Sequence, residues 1–169
     1  TGVILRLNDD GSTPADNPFI DPGPQVTPEV RANVQKMFAY GVRNSFGLAF
    51  DPVSGDLWDE QNGDDTFDEI NRVTAGSNLG WIQTMGPIAR VAQFREIELG
   101  MEPRDLQQSR WSPAEIANSQ EAALSRMVVY PGSHYDDPEF SWKYAIAPAA
   151  IGFLRGNALG AEYANDLFV

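Results

Sequence analysis

Three stretches of this chain carry side chains with the means to do chemistry. Tyr40-Gly41-Val42-Arg43-Asn44-Ser45-Phe46-Gly47 sets an arginine beside an amide at a turn. Trp58-Asp59-Glu60-Gln61-Asn62-Gly63 leads into Asp64 and Asp65, and Asp68-Glu69-Ile70-Asn71 follows. A guanidinium can pair with a carboxylate in two parallel hydrogen bonds. A glycine-containing acidic turn offers the oxygens that a hard cation such as calcium requires. The order can therefore hold an anionic cofactor together with a hard metal ion. Each feature also has a plain structural reading. Arg43 can pair with a carboxylate and pin a loop. Asn44 can be a turn residue with a left-handed backbone. Asp64, Asp65 and Asp68 form either a solvated turn or an oxygen-rich cation site, and Glu69 is either a structural ion-pair partner or a ligand. Trp58, Trp81 and Trp142 belong to a core or form a sugar platform. His134, beside Tyr135-Asp136-Asp137, reads as a surface residue, and a second calcium site at Asp136 and Asp137 is the weaker alternative.

The elements that must position these residues are mostly short strands. Val3 to Leu7 alternates as a strand, and the Asp-Gly pair at 10–11 supplies a tight turn. Thr27-Pro28-Glu29 predicts a helix start running to about Met37, with proline where no amide hydrogen is needed. Strands are expected at Leu48–Phe50, Asp56–Glu60 and Glu69–Val73, with turns at 51–55, 62–66 and 75–78. This is the pattern of one propeller blade. Residues 91–127 differ, being rich in Glu, Gln, Arg and Ala. They read as a helical insertion, with Ser112-Pro113-Ala114-Glu115 as a capping box opening a helix from about Pro113 to Ser125. Beta character resumes at Pro138–Trp142. The pairing of Gly47–Phe50 with Leu57-Trp58 is echoed by Ile151–Leu154 with Leu167–Val169, which predicts a further sheet unit.

Composition narrows the function classes. The 169 residues suffice for a real core, and 42% hydrophobic content is globular rather than disordered. Net charge is -12, which argues against a nucleic-acid partner. The absence of cysteine excludes disulfides and thiolate zinc sites. No apolar run approaches the roughly 20 residues that span a bilayer. Without an initiator Met or a signal peptide at Thr1, the chain is expected to begin inside a longer protein.

Several ordered motifs resemble the glucose/sorbosone dehydrogenase-like family: Gly2-Val3-Ile4-Leu5-Arg6-Leu7-Asn8, Asp10-Gly11-Ser12, Pro14-Ala15-Asp16-Asn17-Pro18-Phe19, the Arg43-Asn44 turn, Asp68-Glu69-Ile70-Asn71, and Pro138-Glu139-Phe140-Ser141-Trp142-Lys143 with Ala147-Pro148. The resemblance spans most of the chain outside residues 91–127. It implies an all-β fold, about half of a six-bladed β-propeller, with residues 1–169 as one partial domain of antiparallel blades. It implies an oxidoreductase that uses pyrroloquinoline quinone (PQQ) and calcium to oxidise aldose sugars in the periplasm or outside the cell. Arg43, Asn44 and Asn62 would contact the quinone. The carbonyls of Gly63 and Asp64 would bind the calcium beside it, and Glu69 would serve a further calcium site. The chain departs from the family where Val42, Ser45 and Phe46 replace the usual His, Pro and Gln. The family's catalytic histidine comes from an earlier blade, so no catalytic residue is assigned here and the chain alone is expected to be inactive. The alternative is a non-catalytic, calcium-stabilised propeller that binds carbohydrate or protein. Unpaired sheet edges predict self-association or pairing with the remaining blades.

Overall fold

The computed structural model describes residues 2–100 and 112–169, so the part of the expected insertion at 101–111 lies outside the described residues. In chain order the elements are β1 (Gly2–Leu5), α1 (Pro28–Val34), β2 (Met37–Val42), β3 (Ser45–Phe50), β4 (Leu57–Gln61), β5 (Thr66–Val73), β6 (Ser77–Asn78), α2 (Val91–Gly100), α3 (Gln120–Arg126), β7 (His134–Tyr135), β8 (Phe140–Tyr144), β9 (Gly152–Phe153) and β10 (Leu167–Phe168).

The central unit is the four-stranded antiparallel sheet β3-β4-β5-β8. Its register sets Asp59 opposite Asn71 and Gln61 opposite Glu69. Because successive side chains point to opposite faces, β4 turns Leu57, Asp59 and Gln61 one way and Trp58 and Glu60 the other. The first face packs on the sheet β1-β2-β6-β7 through Ile4, Ala39, Val42, Leu57, Val73 and Leu79. The second face meets the β9–β10 hairpin, where Trp58 lies edge-on to Phe153 at 6.4 Å. Sheets thus stack face to face in chain order, which is how propeller blades are arranged.

Three details differ from the pattern read in the sequence. β5 begins at Thr66, so Asp68 is a strand residue and not part of a turn. Ser77 and Asn78, expected in a turn, form a short strand parallel to both β2 and β7, so the first sheet is mixed. The helix expected from Pro113 to Ser125 is broken. Pro113–Glu115 makes a single 3-10 turn, and Ile116 then turns extended so that its side chain, 2% exposed, reaches the core. Ser119 restarts the helix as α3 by accepting the Ala122 N–H at 3.2 Å. Helices α2 and α3 share a core with β5, built on Phe67, Met85, Val91, Phe94, Ile116 and Ala123.

Candidate cofactor and calcium edge

The Arg43-Asn44 turn, which links β2 to β3, and the turn at residues 62–65, which links β4 to β5, lie side by side. Their backbones join through the Asn62 N–H, which donates to the Asn44 carbonyl at 3.0 Å. Arg43 binds across the gap: Nη1 donates to the Asn62 carbonyl at 2.7 Å and Nη2 to Asp64 Oδ1 at 2.9 Å. The two side chains are only 9% and 3% exposed, and the guanidinium carbon lies 5.4 Å from the Trp81 ring. Gly63 is required by close approach, since a β-carbon there would collide with the Thr66 carbonyl. Its N–H donates to Asp68 Oδ1 at 2.8 Å. Asp68 is fully buried, and its other oxygen accepts the N–H groups of Ile146 at 2.6 Å and Ala147 at 2.7 Å. The solvated-turn reading of these acids is therefore replaced by a pinned and mostly buried loop. Asn44 is exposed, and it does not have the left-handed backbone that the plain turn reading would give it.

Glu98, on α2, is the residue that sequence reasoning missed. It is fully buried, and its Oε1 accepts the Asp65 N–H at 3.2 Å. Burial first, and then the neighbouring Asp64 and Asp65, push its carboxyl up to about 7. Carboxylate oxygens of Asp64, Asp65 and Glu98 all lie within 4.8 Å of one another. A signal was present in the sequence. Val91, Phe94 and Glu98 form one buried stripe of α2, and an acid on an apolar stripe marks a special position.

Glu69 stands apart from this turn. Its Oε2 accepts the Gly86 N–H at 2.7 Å, and its Oε1 accepts from Asn71 Nδ2 at 3.1 Å. Burial pushes it up to about 8. Its partners are thus an amide and a backbone N–H, not the cation that the ion-pair reading expects. Beneath the Arg43 turn, Gln61 Oε1 accepts the Arg43 N–H at 2.7 Å while Gln61 Nε2 donates to Asp59 Oδ2 at 2.7 Å. Ser45 Oγ donates to the other Asp59 oxygen. Burial pushes Asp59 up to about 6. On the opposite face Glu60 rises to about 7, through burial and then the charges of Asp59 and Asp68. Among the described residues neither Glu60 oxygen has a hydrogen-bond partner.

The second acidic pair is a structural one. Asp136 Oδ2 accepts from Ser77 Oγ at 2.5 Å and lies 3.2 Å from His134 Nε2. Asp137 Oδ1 accepts from the Ile88 N–H and the Tyr135 hydroxyl, each at 2.7 Å. These protein donors argue against the second calcium site. His134 is half exposed and touches Thr74 Oγ1, as a surface residue would. Trp58 and Trp142 pack on aromatic rings, while Trp81 both covers Arg43 and borders the core.

Residues 1–137 match the Glucose / Sorbosone dehydrogenase family. The chain belongs to that family. Aldose sugar dehydrogenase YliI of Escherichia coli (strain K12) is 40% identical over 80 residues, which are 47% of this chain and 19% of that protein. Quinoprotein glucose dehydrogenase B of Acinetobacter calcoaceticus is 39% identical over 85 residues, 50% of this chain and 16% of that protein. The solved apo-form of the soluble aldose sugar dehydrogenase (Asd) from Escherichia coli has a TM-score of 0.62 at 25% identity, over 99% of this chain and 38% of that one. The chain is an all-β part of a six-bladed propeller, and it spans well under half the length of these glucose/sorbosone dehydrogenase relatives. No described helix is long and apolar enough to cross a membrane.

Asn62 Oδ1 is a buried acceptor with no hydrogen-bond partner among the described residues. The carboxylates of Asp64, Asp65 and Glu98 make an oxygen-only set, which suits a hard cation. An anionic quinone finds fewer partners here. The exposed Asn44 amide is accessible, whereas Arg43 already donates to Asn62 and Asp64.

Proposed function

We propose that the whole protein is a PQQ- and calcium-dependent aldose sugar dehydrogenase, periplasmic or extracellular, and that the two turns form one wall of its cofactor site. The single observation that carries this reading is the oxygen-rich turn at 62–65, clamped to Arg43 at the edge where the family's motifs fall. Asn44, Asn62 and Arg43 would orient the quinone. The carbonyls of Gly63 and Asp64 would hold calcium, with the surrounding carboxylates supplying negative charge. Bound together, the two groups would supply a polarised quinone carbonyl able to accept hydride from the sugar C1. Trp81 would keep water from the guanidinium, which strengthens its pairing in a low-dielectric setting. The chain's one histidine is on the surface and engaged with Thr74 and Asp136, so we propose that this chain alone does not turn over sugar.

A second reading rests on the same arginine. With its guanidinium spent on Asn62 and Asp64, and with Val42, Ser45 and Phe46 replacing the usual residues, the edge suits a calcium-stabilised propeller that binds carbohydrate or protein without catalysis. Assaying the full-length protein with PQQ, calcium, an aldose and an artificial electron acceptor separates the two. Turnover supports the dehydrogenase. No turnover, with calcium still raising the melting temperature, leaves the binding protein.

A further inference from the structure

We propose that Glu98, delivered by the inserted helix α2, is a positioning residue that holds the 62–65 turn in the shape its ligands need. This rests on the reading of that turn as the cofactor and calcium edge. The turn is gripped from below and from one side. Its Gly63 N–H is bound by the buried Asp68, and its Asn62 carbonyl by Arg43. The Asp65 N–H, at the far end, is bound by Glu98. The peptide units at 63 and 64 therefore lie between two amide hydrogens that are each fixed by a buried carboxylate. Without Glu98 the far end of the turn loses one of these anchors.

The helix that carries Glu98 is itself firmly seated. Phe94, one turn earlier on the same face, is fully buried and lies edge-on to Phe67 at 6.5 Å. Phe67 is pressed in turn against Gly86, where a β-carbon would clash with its ring, and the Gly86 N–H is held by Glu69. Apolar packing thus fixes α2 relative to β5, and the carboxylate at position 98 transmits that fixed position to the turn. Helix α2 acts as a brace for the turn.

The test uses the full-length protein and three variants. Glu98→Ala removes the acceptor, Glu98→Met removes it while filling the space, and Glu98→Gln keeps an acceptor oxygen. Two quantities are read: hydrogen exchange at the Asp65 amide, and calcium-dependent affinity for PQQ. In Ala and Met variants the Asp65 amide should exchange about tenfold faster and PQQ should bind about tenfold more weakly, as expected for one lost hydrogen bond to a charged group. Glu98→Gln should restore the slow exchange. Wild-type exchange in Glu98→Met, or fast exchange in Glu98→Gln, overturns the positioning role even if Glu98→Ala fails to fold. Altered exchange with unaltered PQQ affinity also overturns it. If the wild-type protein itself binds no PQQ, the dehydrogenase reading fails, while the exchange arm still decides whether Glu98 holds the turn.

Discussion

Two acidic regions of this molecule have similar compositions and opposite designs. At Asp136 and Asp137, carboxylate oxygens are met by a serine hydroxyl, a tyrosine hydroxyl and a backbone N–H. Around residues 62–65, carboxylates of Asp64 and Asp65 and of Glu98 on α2 crowd within 4.8 Å. The first arrangement uses acids as staples between strands and the 3-10 turn at Ile88–Arg90. The second gathers three carboxylates around donors of its own, Arg43 on Asp64 and the Asp65 N–H on Glu98. A count of aspartates therefore does not reveal a cation site. What matters is how closely the carboxylates are gathered.

The largest effect that separates the regions should come from Arg43. Arg43→Ala removes the cation from a nearly buried pair, and such a loss costs about 3–5 kcal/mol. Denaturant unfolding should show that loss, and a change under 1 kcal/mol would mean the pair is not a central pin. Next comes pH, through β4, the strand that leads into the second region. Asp59 and Glu60 titrate near 6 and 7 when folded, against 3.8 and 4.5 in their ordinary state. The folded state thus binds more protons than the unfolded one between about pH 4 and 7, and stability falls as pH rises through that window. Melting temperature should decline from pH 5 to pH 8, and Glu60→Gln should flatten the slope. A rising melting temperature over that range would contradict the burial assigned to these acids.

Calcium affords a smaller but more specific contrast. In the full-length protein, Asp65→Asn should weaken calcium binding about tenfold by calorimetry, roughly 1.4 kcal/mol. Asp137→Asn should leave calcium affinity unchanged. Equal effects at both positions would erase the distinction between the regions. Asp137→Asn keeps the oxygen that accepts from Ile88 and Tyr135 and should change stability by less than about 1 kcal/mol, the smallest of these effects.

Much of this was legible in the sequence where side-chain alternation and turn chemistry agree. The strands around Leu48–Phe50 and Leu57–Glu60 follow from alternation and from the Asp-Pro turn between them, and the echo at 151–154 and 167–169 appears as the β9–β10 hairpin. For Arg43 the sequence left two uses open, a loop pin and a contact to an anionic cofactor. Its partner could not be chosen among Asp64, Asp65 and Asp68, because that choice depends on where β5 starts. Asp68 looked like a loop acid for the same reason. Glu98 was the harder case. Its partner lies 33 positions earlier in the chain, and only the packing of Phe94 on Phe67 brings them together. The break at Ile116 likewise reflects a tertiary demand, a buried side chain that a continuous helix would have turned elsewhere.

The most direct test of the central claim is the anomalous scattering of calcium in crystals of the full-length protein grown with calcium and PQQ. A calcium peak within coordination distance of the Gly63 and Asp64 carbonyls, with the quinone beside Asn44, is the predicted result. An ordered quinone bound elsewhere, with no peak at that turn, would contradict it.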